Sequence, residues 1–202
     1  MRDPTAFAPT IRRLWPSDRA AIQAYFLRLD PETRANRFMG AVSETAALAY
    51  AHRAIGADGL MFGAFVHGIL RGLGELRPVA PRTGGPTFGP EAEAAFAVER
   101  DFRRSGLGQA LFRRIAGAAR NRGVRDLHVR CLSWNGPMRG LAAKVGAELR
   151  LAGSEAEGAL HLPRPTPISL WQEGVCDALD FTLAVATAAS PAPMARRADG
   201  LL

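Results

Sequence analysis

Residues 91–108, EAEAAFAVERDFRRSGLG, constrain this chain more than any other stretch. The apolar residues 92–98 read as a strand. A basic, glycine-bearing turn, RRSGLG, then feeds an amphipathic helix in which Leu107, Leu111 and Ile115 recur four apart, with Ala118 and Ala119 one turn on and Gly123 placed to close it. The first N–H groups of a helix have no intrahelical partner and lie at the positive end of its dipole, so this junction offers an anion site. Gly106 and Gly108 remove the Cβ atoms that would hold a phosphate off the backbone, and Arg103 and Arg104 add planar forks of donors. A tight turn that merely precedes a helix would look similar. The turn lacks the third glycine of a dinucleotide fingerprint and the Gly-Lys-Ser/Thr of a Walker loop.

The next segment narrows the reading. Residues 126–132 (DLHVRCL) form a second expected strand, and Ser133-Trp134-Asn135-Gly136-Pro137-Met138 opens a short helix ending at Lys144-Val145-Gly146. RRSGLG resembles the (Gln/Arg)-x-x-Gly-x-(Gly/Ala) motif of the GNAT superfamily of acyl-CoA N-acyltransferases. Asn135, followed at +11 by Gly146, resembles that superfamily's second cofactor element. A narrower likeness is to the catalytic domain of bacterial Pat-type protein lysine acetyltransferases. It rests on AEAAFAV before the turn, on Leu132-x-x-Asn135-x-x-Met138, on Ile11-Arg12-Arg13-Leu14 with Pro16-x-Asp18, and on Arg34-x-Asn36-Arg37-Phe38.

The resemblance implies an α/β (α+β) fold with a mixed, mostly antiparallel sheet of about seven strands, splayed at its centre and flanked by helices. It implies acetyl-CoA as cofactor and an amine acceptor, a small molecule or a protein lysine. Amides from Arg103 through Arg104, Ser105, Gly106 and Leu107 to Gly108 would take the pyrophosphate. Phe96, Ala97, Val98, Asn135 and Met138 would line the rest of the cofactor, with the Val98 N–H polarising the thioester carbonyl. An amine of lysine-like pKa near ~10.4 is mostly protonated at neutral pH, so attack needs a base. The likeness puts that base on Glu93; a solvated strand-edge carboxylate is the plainer alternative. The tyrosine that many GNAT enzymes carry seven residues after the asparagine is Ala142 here, and Pat-type domains also lack it. A non-catalytic acyl-CoA-binding regulatory module would share the cofactor site without the turnover.

Composition sets the outer bounds. At 202 residues, 48% of them apolar, the chain can bury its own core. Of its 26 basic residues only Lys144 is a lysine, and the arginines are spread along the chain. The formal charge of +7 therefore gives no reason to expect nucleic acid. Two cysteines, Cys131 and Cys176, have no metal or disulfide spacing, and the expected strand thiol Cys131 reads as buried and inert. No apolar leader and no membrane-length run is present, so the expectation is a cytoplasmic chain with no membrane partner.

Residues 9–162 are read as the catalytic-type domain. A first strand at 9–14 precedes three helices, at about 18–29, 31–38 and 43–54, which in the resemblance wall the acceptor site. Arg34, Arg37 and Phe38 are then either substrate contacts or surface charge beside a core phenylalanine. A hairpin is expected from residues 59–66 and 69–77 about His67-Gly68, followed by a Pro- and Gly-rich loop at 78–90. A strand at 148–152, a Gly- and acid-rich loop, and a strand near 159–162 complete that unit. Residues 163–190 are read as a proline-rich linker and a helix capped by Ser169-x-x-Gln172. Its row Leu170, Val175, Leu179 and Leu183 could pack in cis or on a second copy, and residues 191–202 read as a disordered tail.

Overall fold

The computed structural model describes residues 9–55, 59–79, 88–147 and 149–189. The expected tail at 191–202 and most of the loop at 78–90 lie outside these. Seven strands form one sheet in the order β1-β2-β3-β4-β5-β7-β6. They are β1 (Thr10–Arg13), β2 (Leu60–Val66), β3 (Ile69–Pro78), β4 (Glu91–Val98), β5 (Asp126–Leu132), β6 (Arg150–Ala152) and β7 (Glu155–His161). Only β4 and β5 run parallel. The mixed, mostly antiparallel α/β architecture matches the expectation.

Three helices, α1 (Arg19–Arg28), α2 (Pro31–Phe38) and α3 (Glu44–Ala54), follow β1. The second begins at the tolerated N1 proline, with Asp30 accepting the Thr33 amide at 3.1 Å, and Ser43 caps the third by accepting the Ala46 amide at 3.2 Å. Asp18 does not cap α1 with its side chain; Arg12 holds that carboxylate at 2.8 and 2.6 Å. Ile22, Tyr25, Phe26 and Leu29 pack with Met61, Leu73 and Ala97 into the core on this face of the sheet.

The opposite face is covered by α4 (Leu107–Asn121), whose Leu107, Leu111, Phe112 and Ile115 are buried against the sheet. Gly74 of β3 makes room for it, since a Cβ there would stand 2.7 Å from Ile115 Cδ1. The short α5 (Gly136–Lys144) follows β5.

Two expectations are corrected near the C-terminus. The Gly- and acid-rich stretch expected as a loop supplies most of β7, which pairs with β5 along its full length. The last helix, α6 (Pro167–Ala189), starts earlier than expected. Thr166 Oγ1 accepts the Ser169 amide at 3.2 Å, and Ser169 Oγ accepts the Thr166 amide at 3.0 Å. The reciprocal cap is thus Thr166 with Ser169, one turn before the expected pair.

Candidate active site

The ladder between β4 and β5 pairs Glu91 with Asp126, Ala92 with Leu127, Glu93 with His128 and Ala94 with Val129, then stops. Both strands continue, β4 to Val98 against β3 and β5 to Leu132 against β7. The sheet is therefore open between residues 95–98 and 130–132. Strand geometry decides which backbone groups face the opening. The Glu99 amide donates to the Arg71 carbonyl at 2.9 Å, which fixes the phase of the antiparallel β3–β4 ladder. Ala97 and Ala95 point their polar groups at β3, so Phe96 and Val98 turn theirs toward β5, where no strand receives them. The Val98 N–H thus faces the slot. The Phe96 ring instead stacks on Phe112, centroids 5.5 Å apart, and Ala97 is buried with its carbonyl accepting Tyr25 Oη at 2.7 Å.

Beyond Val98 the chain makes a 3-10 turn at Arg100–Phe102 and then enters α4. Among the described residues, the amides of residues 104–109 have no hydrogen-bond partner, and the first intrahelical bond runs from Ala110 to Gly106. Gly106 is the N-cap at φ 92° and contributes no side chain. Arg104, at φ 60°, also turns left-handed. Helix and turn therefore present a row of free donors, which fits a pyrophosphate. Arg103 departs from the expectation. Its amide donates to Arg100 at 3.2 Å, and its guanidinium reaches Thr33 Oγ1 at 2.7 Å, with Glu32 and the Val98 carbonyl at 3.5 Å. Arg104 is exposed and makes no such contact. Ser105 Oγ donates to the Phe102 carbonyl at 2.5 Å, and Leu107 is buried in the core. A Cβ on Gly108 would come only within 3.6 Å of Leu141.

Asn135 caps α5, accepting the Met138 amide on Oδ1 at 3.2 Å, which leaves its Nδ2 uncommitted; Met138 itself is buried. Ala142, at the position of the tyrosine many GNAT enzymes carry, is fully buried. Burial also raises the Cys131 thiol above its ordinary pKa, so it is held as an unreactive core thiol.

Glu93 lies on the α1–α3 side of the sheet and is half-buried. Its carboxylate has no hydrogen-bond or ion-pair partner among the described residues. Its cross-strand neighbours are Arg77 on β3 and His128 on β5. His128 Nε2 is buried without a hydrogen bond, 3.9 Å from Glu91 Oε2. On the same face, one ladder step from Arg77, stands a group that sequence reasoning missed. Glu75, 1% exposed, accepts from Arg37 at 2.5 Å, Tyr50 at 2.5 Å and Arg77 at 2.8 Å. Burial opposes its ionisation, but the two arginines and the tyrosine outweigh burial and hold its pKa below the ordinary value. Arg37 is thus drawn into an ion network with its side chain 9% exposed, not set out as surface charge. Phe38 packs on Tyr50 with centroids 5.1 Å apart, and Arg34 is buried, reaching Glu44 at 3.3 Å. A charged residue inside the apolar run ILRGLGELR was the available signal for Glu75.

A seven-stranded mixed sheet opened beside a helix that presents free amides defines the architecture of an acyl-CoA-type transferase. The comparisons with known proteins agree. The acetyltransferase (GNAT) family model matches residues 19–147, and the chain belongs to that family. The fold is shared with the GNAT domain of S. lividans PAT, at 20% identity over 76% of this chain and 90% of that one, with a TM-score of 0.65. An N-acetyltransferase from Staphylococcus aureus Mu50 matches at 18% identity, over 77% and 99%, with a TM-score of 0.60. The yncA protein from Salmonella typhimurium, determined with its cofactor acetyl-CoA, matches at 20% identity, over 79% and 96%, with a TM-score of 0.57. No curated protein matches the chain significantly.

Proposed function

We propose that this chain is an acetyl-CoA-dependent N-acetyltransferase that passes the acetyl group directly to an amine, with a protein lysine as acceptor in the manner of Pat-type enzymes. The observation that carries the reading is the pairing of a sheet open beyond Ala94 and Val129 with free amides at residues 104–109.

Bound acetyl-CoA would supply the activated thioester. The amides of residues 104–108 bind its pyrophosphate, with Arg104 adding charge. The Asn135 Nδ2 and the slot edge at Phe96–Ala97–Val98 position the remaining length, and Met138 packs behind. The Val98 N–H, held by the β4 backbone, donates to the carbonyl oxygen as negative charge develops there. Glu93, directly or through a water, would take one proton from the acceptor ammonium and free the nitrogen lone pair for attack on the thioester carbon; the second proton, lost from nitrogen as the amide forms, would pass by way of water to the departing thiolate. No tyrosine is placed to protonate the departing thiolate; a thiol of pKa ~8.5 leaves without that help and takes its proton from water.

The choice of a lysine in a basic surrounding rests on charge. Beside Glu93 the same sheet face carries Glu91 and, on β7, Glu155 and the exposed Glu157, with Arg130 among them. Thiol release from acetyl-CoA across lysine peptides and small amines tests the proposal. Faster turnover with peptides whose lysine is flanked by basic residues is expected. Acetyl-CoA binding without transfer to any amine would leave the regulatory-module reading instead, and a preference for small amines would replace the protein acceptor.

A further inference from the structure

The apolar side of α6 faces outward. Its three acids all point inward. Glu173 meets Arg122 and Asn121, Asp177 meets Arg13 at 2.6 Å, and Asp180 meets the Arg13 amide at 2.8 Å and Arg114 at 2.5 Å. Ala184 is buried beside them. The helix is therefore seated on β1 and α4 by its polar face, the reverse of an ordinary surface helix.

The outer face holds Ile168, Trp171, Val175, Leu179 and Leu183, of which Trp171 is 71% exposed and Leu179 60%. Among the described residues, eight of the thirteen large apolar side chains that are exposed lie on this one helix. Each leaves on the order of 100 Å² free, so these five offer roughly 500 Å², and with Leu170, Phe181 and Val185 on the flanks the exposed apolar surface of the helix reaches roughly 800 Å², comparable to one side of a standard interface.

We infer that α6 is the interface of a two-fold homodimer, with the helix packed against its counterpart in a second copy. The face is uncharged along its length, so the same stripe can oppose itself without like-charge contacts, as an isologous interface requires. It also adjoins its own recess. Between α4 and α6 lies a groove of about 440 Å³, lined by Gly117, Ala118, Trp171, Val175 and the arginines Arg113 and Arg120. A bulky ridge beside a groove where Gly117 and Ala118 leave room between the longer side chains lets the ridge of each copy enter the groove of the other. A lipid surface fits less well. Helices that lie in a membrane interface carry Lys or Arg on their polar face, whereas α6 has three acids and no base. No described helix is long and apolar enough to cross a membrane.

Sedimentation velocity on the full chain at about 50 µM should give twice the 21.6 kDa chain mass. The double variant W171E/L179E should run as a monomer with unchanged far-ultraviolet circular dichroism, because both positions are exposed. Leu151→Glu, at an exposed apolar residue elsewhere, should leave the dimer intact. A monomeric parent chain overturns the inference, as does a dimer that survives the double variant. A monomer that pellets with phosphatidylserine vesicles, and ceases to when W171E/L179E is introduced, would assign the face to lipid instead. Each outcome is read from mass and pelleting, independently of the transfer reaction.

Discussion

Ala94 stands opposite Val129 on the last rung of the β4–β5 ladder, although β4 continues to Val98 and β5 to Leu132. The separation leaves the Val98 N–H without a cross-strand acceptor, on the strand that leads through residues 99–103 to the free amides at the start of α4. Backbone groups, which side-chain substitutions cannot delete, make up most of the proposed cofactor site. Tests of it must change backbone conformation or the charges beside it.

Gly106 is the position where conformation can be attacked. At φ 92°, with open space where a Cβ would stand, alanine is opposed by the backbone and not by crowding. A side chain in the left-handed region costs about 1–2 kcal/mol, which the turn can relieve by rotating its amides away. Gly106→Ala should weaken acetyl-CoA binding about tenfold in calorimetry while shifting thermal stability little. Binding at parental strength would mean that the turn does not hold the cofactor.

The two arginines of the turn should separate cleanly. Arg104 is exposed and uncommitted, so Arg104→Ala should weaken acetyl-CoA binding about fivefold at low salt, and less as ionic strength rises. Arg103 is bound to α2 through Thr33 and Glu32, so Arg103→Ala should loosen α2 and lower the melting temperature, with a smaller effect on the salt dependence of binding. Equal, salt-sensitive losses for both would show that Arg103 swings to the phosphate.

Glu93→Gln keeps the shape of a half-buried side chain and removes its ability to take a proton. A positioned general base contributes on the order of 10²–10⁴ in rate. The variant should therefore lose at least about 100-fold in kcat while its acetyl-CoA Kd stays within about twofold. Undiminished turnover would remove Glu93 from the mechanism and direct attention to its cross-strand neighbour His128.

Much of this was legible in the sequence because it is local. The α4 periodicity, the Pro31 and Ser43 helix starts, the two-residue turn at His67-Gly68 and the strand limits of β5 all follow from residues within a turn of one another. The clasp of Arg103 by Thr33, 70 residues away, is not local, and a basic residue next to a glycine turn reads as a phosphate ligand whatever holds it. The orientation of α6 was hidden for a related reason. Leu170, Val175, Leu179 and Leu183 make an apolar row that normally faces a core, and only the partners of Glu173, Asp177 and Asp180 on β1 and α4 show that the opposite side is the buried one. The splay of the sheet could be expected from family resemblance alone, since β4 and β5 each look able to pair to their ends.

Glu75 offers the sharpest stability test. Its carboxylate is shared by Arg37, Tyr50 and Arg77, and removal of its charge leaves the largely desolvated Arg37 guanidinium without the carboxylate that balances it. Breaking a buried pair from one side costs about 3–5 kcal/mol, so Glu75→Gln should lower the unfolding free energy by that order in urea at neutral pH. The pH dependence has a definite sign. Because the folded-state pKa is below the ordinary carboxylate value, the network's stabilisation is fully present above the unfolded pKa and is lost as pH falls through the folded one. The gap between parent and variant should therefore be constant near neutrality and narrow below about pH 4. A gap that instead widens as pH falls would mean that Glu75 is held neutral in the fold, and that the tyrosine hydrogen bond, not the ion pairs, secures this corner of β3.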